Sequence, residues 1–477
     1  MKIVFASSEA APYIKTGGLG DVAQDLPKSL SKLKDAHVLL FIPYYGKMKA
    51  EGKIKTELVS EFQIELGWRH QYVGLHRVKK AGTKLKVYLI DNEFYFKREK
   101  IYGEGDDPER FAFFSKAILE SLVVLGETPD VIHCNDWQTA LIPTFLKAFY
   151  SEKLKGTKTV FTIHNIEYQG WAHPYFLGDG LGLPVEYDSI FKMGESLNYM
   201  KSAIINCDCL TTVSKTYAEE ICEPYFAHGL DGVIRANKQK LTGVVNGIDM
   251  ELNNPANDDY LVKKYDLSTV KAGKKANKAA LQKEMGLEVR DDVPLLGMVS
   301  RLVSHKGLDI LCDKIDELLG RGVQLAILGS GDPAYEDRLQ KAAMRHQGQF
   351  SIYVGFSKEL AARIYAGSDM YLMPSKSEPC GLSQLIAMRY GTIPIVHEVG
   401  GLKDTVIPFI PQKETGLGYT FWAFDGNDML NALDRALESY HKPAKWKKAI
   451  SNCMSEDVSW DKPGREYFAL YKSLTDK

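Results

Sequence analysis

Lys15-Thr16-Gly17-Gly18-Leu19-Gly20-Asp21 follows the apolar run Lys2-Ile3-Val4-Phe5-Ala6, and Glu378-Pro379-Cys380-Gly381-Leu382-Ser383-Gln384 follows Met370-Tyr371-Leu372-Met373. Each is read as a strand, a glycine-bearing loop and the start of a helix. The first N–H groups of a helix lack intrahelical partners and its dipole favours negative charge there, so both loops place bare N–H groups where an anion can approach. A diphosphate can sit between them. One such loop says little by itself, because Gly-Gly is more often only a turn.

Outward from these loops, runs rich in Val, Ile, Leu and Phe alternate with helical patterns, which indicates βαβ units and mostly parallel sheets. A first series of strands is expected near 2–6, 37–42, 85–90, 130–134, 158–163, 209–213 and 241–245. A second is expected near 294–300, 324–328, 350–354, 369–373, 392–397 and 417–421. The polar, Lys-rich stretch 250–292, with Lys271-Ala272-Gly273-Lys274-Lys275, reads as a boundary with surface helices. The expectation is an α/β chain with two Rossmann-like domains, 1–248 and 249–458, and a C-terminal helix in 459–477. That helix lines up Tyr467, Leu470, Tyr471 and Leu474 on one face, so it should dock on a domain surface.

The 477 residues are 45% hydrophobic, enough for large cores, and 60 Lys plus Arg balance 61 Asp plus Glu. No net field favours nucleic acid or an anionic membrane. Seven cysteines without regular spacing fit free thiols in a reducing compartment. Cys207 and Cys209 share a strand face but lack a second pair or a nearby His, so no structural metal is expected. No apolar run approaches the about 18 residues that span a bilayer, and the chain opens directly on a strand, so a cytoplasmic or already processed protein is expected.

Polar and glycine residues recur just past the carboxyl ends of the expected strands: Lys15, Asp136, His164-Asn165 and Asn246-Gly247 in the first series, and Arg301, Gly329-Ser330-Gly331, Glu378 and Gly400-Gly401 in the second. Open α/β sheets bind ligands at that edge, so two facing sheets would gather these groups in one inter-domain cleft. Arg301 and Lys306 suit a diphosphate, one as a fork and the other as a point charge; a strand end and a solvated helix start explain them equally. Glu378 can accept sugar hydroxyls, or merely favour a helix start. Asp21 and Asp136 can be paired glycosidase carboxylates, or a helix-start charge and an N-cap. The His164 ring can be a general base or a packed, hydrogen-bonded side chain.

Taken together, Lys15-Thr-Gly-Gly-Leu, His164-Asn-Ile-Glu-Tyr-Gln-Gly170, Val245-Asn-Gly-Ile-Asp249, Ser300-Arg-Leu302 with Lys306-Gly307, and Glu378-Pro-Cys-Gly-Leu382 resemble bacterial glycogen synthase and plant starch synthase, in order and from end to end. The resemblance implies a GT-B fold whose C-terminal helix returns to the N-terminal domain. It implies an ADP-glucose:α-1,4-glucan glucosyltransferase that retains configuration, with no bound metal or cofactor. Its partners would be ADP-glucose and glycogen, amylose or malto-oligosaccharide, and a plant-type mature form would lie in the plastid stroma. By the same resemblance Lys15, Gly17 and Gly18 meet the donor, while Arg301, Lys306 and the backbone of Cys380, Gly381 and Leu382 hold its diphosphate. Asp21, Asp136, His164, Asn165, Asn246 and Glu378 surround the sugar, His164 through its main-chain carbonyl. Gly355-Phe356 stands where related synthases often carry Gly-Tyr at the adenine. Many retaining GT-B enzymes have a second Glu eight positions after the first; Ile386 stands there, as in the glycogen and starch synthase branch. A non-catalytic glucan-binding or initiation scaffold of the same fold is the alternative, although Lys15, Arg301, Lys306 and Glu378 are all present.

Overall fold

Val, Ile, Leu and Phe fill strands that are buried on both faces, as parallel sheets covered by helices require; in His37–Pro43 every residue but His37 is buried. The computed structural model describes residues 1–79, 82 and 84–476. Its chain divides into two units, Met1–Val244 with Trp460–Lys477, and Val245–Ser459.

The strands of the first unit are β1 (Lys2–Ala6), β2 (His37–Pro43), β3 (Thr56–Leu66), β4 (Arg69–Val78), β5 (Leu85–Asp91), β6 (Val131–Asn135), β7 (Lys158–Ile163), β8 (Trp171–Ala172), β9 (Lys192–Met193), β10 (Ser196–Asn198), β11 (Cys209–Thr212) and β12 (Leu241–Gly243). Nine of them form one sheet in the order β12-β11-β7-β6-β1-β2-β5-β4-β3. It is parallel except for β4 against β5 and β3 against β4. The order reverses between β1 and β6, so the crevice beyond their carboxyl ends is where a ligand belongs. The loops after β1 and β6 carry Lys15 and Asp136.

The helix Asp461–Thr475 packs on this unit. Tyr467 and Tyr471 are buried in its core, with Leu470 and Leu474 packed beside them. The Tyr471 hydroxyl is 2.6 Å from Nδ1 of His133, whose Nε2 is 2.5 Å from Thr162 Oγ1. Ser29 Oγ donates to the Trp460 carbonyl at 2.9 Å. The helix therefore joins the first unit through a buried polar chain as well as an apolar face.

In the second unit β13 (Leu295–Val299), β14 (Gln324–Gly329), β15 (Phe350–Val354), β16 (Met370–Met373), β17 (Ile393–His397) and β18 (Tyr419–Phe421) form a parallel sheet in the order β15-β14-β13-β16-β17-β18. Its order reverses between β13 and β16, whose following loops carry Arg301 and Glu378.

Every strand expected from the sequence forms, to within a residue or two. The expectation of surface helices in the Lys-rich stretch needs correction. The helix Val270–Glu284 turns Lys274 and Lys278 inward. Lys274 Nζ donates to Thr392 Oγ1 at 2.7 Å and to the carbonyls of Ala366 and Tyr390 at 3.1 and 3.3 Å, and burial pulls its pKa down to about 7. Lysine stems pack well against apolar surface, and buried acceptors repay the head group, so composition alone misreads this face as solvated.

Candidate functional site

The first unit builds its part of the site around a residue the sequence reading passed over. Glu9 is buried just past β1. Its Oε2 accepts Thr16 N at 2.7 Å and Thr16 Oγ1 at 2.6 Å, and its Oε1 accepts Gly20 N at 3.1 Å. Burial raises its pKa against these bonds and one from Gly17 N. The loop's N–H groups are thus largely turned inward onto a carboxylate, which corrects the expectation of a bare anion nest. What the loop offers outward is charge and exposed backbone: Lys15, Gly17 and Gly18 are exposed where the helix Gly18–Lys32 begins. Lys15 Nζ meets Asp21 Oδ1 at 2.7 Å, an exposed pair that an incoming anion can break at little cost. The available signal for Glu9 was a carboxylate just past a strand, with nothing in its spacing to link it to the loop.

Asp136 is one of the few residues other than glycine with positive φ, at 56° with ψ −178°. That conformation costs about 1–3 kcal/mol and recurs at functional sites. It is held because Asp136 N donates to the Thr162 carbonyl at 3.0 Å while Oδ1 accepts His164 N at 2.7 Å and Asn165 N at 3.3 Å. The side chain does not cap the helical turn Trp137–Thr139, contrary to the N-cap reading. Burial pushes its pKa up to about 7. The His164 ring is fixed by Asn135: Asn135 Nδ2 donates to the Ala6 carbonyl at 2.9 Å, leaving Oδ1 to accept from His164 Nε2 at 2.8 Å. Nε2 therefore carries the proton, and burial drops the ring's pKa to about 3. A ring that weak as a base favours the packed reading. Asp21 is paired to Lys15, and Oδ1 of Asp136 is taken by two backbone N–H groups.

The second unit holds a cavity of about 180 Å³ at its sheet's reversal, lined by Arg301, Lys306, Ser375, Glu378, Leu382 and Ser383 over a floor from β13 and β16. Lys306 Nζ meets Glu378 Oε2 at 2.6 Å, with side chains only 16% and 9% exposed. Ser375 Oγ donates to the same oxygen at 3.1 Å. Glu378 Oε1 has no protein partner among the described residues. Gly307 makes the approach possible: its φ is +73°, and a Cβ there would strike the Pro374 carbonyl. Arg301 is exposed at the rim and forms no ion pair among the described residues.

The loop after β16 is open where the first is filled. The N–H groups of Cys380, Gly381 and Leu382 meet no backbone or side-chain acceptor among the described residues, at the start of the helix Ser383–Arg389. Gly401 N ties the loop down through the carbonyls of Glu378 and Pro379, at 3.0 and 3.2 Å. Asn246 N–H bonds the Cys380 sulfur, and burial pushes that thiol up to about 12, so it is protonated and inert at neutral pH. Asn246 is buried with Oδ1 unpaired. Gly355 and Phe356 lie beyond β15, outside the cavity lining, with Phe356 82% exposed. The second unit thus collects Asn246, Arg301, Lys306, Glu378, Cys380, Gly381 and Leu382 around one loop pair. The first collects Lys15, Gly17, Gly18 and Asp21 at one loop, and Asp136, His164 and Asn165 at its neighbour.

Two family profiles match the chain, the starch synthase catalytic domain over residues 2–236 and the glycosyl transferases group 1 over residues 282–452. A glycogen synthase from Exiguobacterium sibiricum is 46% identical with 99% of each chain covered, and one from Clostridium novyi is 44% identical with 100% of each covered. The catalytic domain of starch synthase IV from Arabidopsis thaliana, bound to ADP and acarbose, is 34% identical with a TM-score of 0.91, over 100% of this chain and 99% of that one. Sucrose-phosphate synthase from Thermosynechococcus elongatus shares the fold, with a TM-score of 0.60 at 17% identity over 100% of this chain and 99% of its own.

Proposed function

The chain belongs to the glycogen synthase family, and from that premise we propose that it moves glucose from ADP-glucose to the non-reducing end of an α-1,4-glucan with retention of configuration, releasing ADP. The observation that carries this reading is the cavity of the second unit. The largely buried Lys306–Glu378 pair, Leu382 and Arg301, which forms no ion pair among the described residues, line a space at the sheet's reversal, and the unengaged N–H groups of Cys380–Leu382 belong to the loop beside it. As the glycosidic bond to the β-phosphate breaks, negative charge grows on the phosphate and positive charge on the sugar. Arg301, Lys306 and the loop N–H groups stabilise the first, fixed in place before the reaction so that little reorganisation is needed. Glu378 faces the second and accepts sugar hydroxyls through its free oxygen.

On this reading Lys15, Gly17 and Gly18 bind the same donor, and the His164 carbonyl lies beside the anomeric carbon, steadied by Asp136 through the backbone N–H groups of His164 and Asn165. With the His164 ring at a pKa of about 3, the departing β-phosphate is the stronger base for the acceptor hydroxyl's proton. Phe356 offers a ring face to the adenine and no hydroxyl. The test is ADP release by purified protein. Release from ADP-glucose that depends on added glycogen, faster than from UDP-glucose, supports the proposal; glucan binding with no ADP release marks a scaffold instead.

A further inference from the structure

His397 closes β17 at the carboxyl edge of the second unit's sheet, beside the strand β16 whose following loop carries Glu378. Its ring is buried, and each ring nitrogen meets a main-chain carbonyl: Nδ1 is 2.8 Å from the Ser375 oxygen and Nε2 is 3.1 Å from the Trp422 oxygen. A carbonyl oxygen can only accept. A neutral imidazole has one N–H and one lone pair, so it satisfies one of these contacts and sets lone pair against lone pair in the other. Both bonds form together only when the ring is an imidazolium.

The two acceptors are fixed by other bonds. Trp422 and Ala423 donate their N–H groups to Asp428 Oδ2 at 3.0 and 2.9 Å, which holds the segment after β18. Ser375 is buried, and its loop is tied by Lys376 N to the His305 carbonyl at 2.9 Å. Phe421, opposite His397 on β18, stacks on the ring with centroids 5.2 Å apart, and Phe424 lies at 5.6 Å; aromatic faces favour a cation. The charges around the ring are mixed. Glu398 follows it and accepts Thr420 Oγ1 at 2.6 Å, while Lys376 and Glu378 lie on the loop after β16. On the helix Gly400–Thr405, Lys403 covers the Trp422 ring at 5.3 Å, with Asp404 next to it. On the far side Asp425 caps the helix Gly426–Tyr440, and Arg435 of that helix donates to the Thr420 carbonyl at 2.5 Å. None of them pairs with His397 among the described residues, so the two carbonyls are what favour its charged form.

We infer that His397 is a positioning residue for glucosyl transfer, acting as an imidazolium that ties the loop after β16 to the segment after β18 and so sets Glu378; this rests on the reading of the cavity as the transfer site. The link is short. Ser375 gives its carbonyl to His397 and its hydroxyl to Glu378 Oε2 at 3.1 Å, the oxygen that also takes Lys306 Nζ. Losing one ring proton breaks one of the two ties and slackens the loop that presents Glu378. Activity therefore falls as pH rises through the loss of that proton and is retained below it.

The direct test is ¹⁵N NMR of the full chain labelled in histidine, the His397 signals being identified by their absence in His397→Phe or His397→Arg. Both ring nitrogens should carry protons at pH 7; a nitrogen bearing a lone pair there overturns the inference. This readout needs no turnover, so it stands apart from whether the protein releases ADP. In kinetics, His397→Phe keeps an aromatic ring and removes both donors, so kcat should fall about three- to tenfold, the worth of one hydrogen bond, with the KM for ADP-glucose changed by less than about twofold. His397→Arg supplies several donors and a permanent charge, so it should keep most of kcat at pH 7, and its kcat relative to wild type should rise about threefold by pH 9. Wild-type kcat in His397→Phe overturns the positioning role, and an equal loss in both variants assigns the effect to packing and overturns it too. A constant ratio of His397→Arg to wild type between pH 7 and pH 9 overturns the role of the ring proton.

Discussion

Lys306→Met removes one partner of a largely buried ion pair and leaves Glu378 facing Ser375 alone. Removing one partner of a buried pair costs about 3–5 kcal/mol; the adjoining cavity admits water to the stranded carboxylate, so about 2–3 kcal/mol is the reasonable figure here. For a unit of this size that lowers Tm by about 5–10 °C. The catalytic loss has a separate origin. A fixed donor aimed at developing charge is worth about 10²–10³ in kcat, or about 2.7–4 kcal/mol. Lys306→Met/Glu378→Gln separates the two effects, because the amide keeps the carboxylate's shape and needs no counter-charge. The double variant should regain most of the lost Tm and none of the lost kcat. The assays are thermal unfolding, and initial rates of ADP release at saturating ADP-glucose and glycogen. A kcat within about threefold of wild type in Lys306→Met would refute the electrostatic role, since such a donor accounts for far more. Wild-type kcat in the double variant would show that Lys306 serves only to neutralise Glu378.

Glu9→Ala should strand the N–H groups of Thr16 and Gly20 at about 1–3 kcal/mol each and loosen the first loop, so trypsin should cut after Lys15 faster and the KM for donor should rise; unchanged cleavage and KM would mean that the loop holds itself. Asp136 carries a folded pKa of about 7 against an ordinary 3.8, so the native state binds the extra proton between those values and Asp136's contribution to stability falls as pH rises through them. Asp136→Asn removes that dependence, so its Tm relative to wild type should be more favourable at pH 7.5 than at pH 5; a constant difference would place the titration elsewhere. Cys380→Ser should keep most of kcat, and iodoacetamide at pH 8 should leave the enzyme active, because a thiol pushed up to about 12 is no nucleophile. Near-complete loss in Cys380→Ser would point to covalent catalysis.

The parallel strands were legible because strands buried on both faces read as unbroken apolar runs. The β3–β4 hairpin was not, since only Ile64 and Leu66 of Thr56–Leu66 are buried and the strand offers no such run. The short strands of the β8-β10-β9 sheet are set by tertiary packing rather than by pattern. At the site, the strand-end rule singled out Lys15, Asp136, Arg301 and Glu378. It could not distinguish the two glycine loops. One is filled by Glu9, whose link to Thr16 and Gly20 exists only once the chain has folded; the other keeps its N–H groups open. The ion pair of Lys306 with Glu378 spans 72 positions and is likewise a product of topology.

The central claim is that the cavity between the loops after β13 and β16 receives the donor's diphosphate. A crystal structure of the protein with ADP tests it most directly. The β-phosphate oxygens are expected within hydrogen-bond distance of Arg301, Lys306 and the N–H groups of Cys380–Leu382. Well-ordered ADP bound elsewhere, with this cavity left to solvent, would contradict the account.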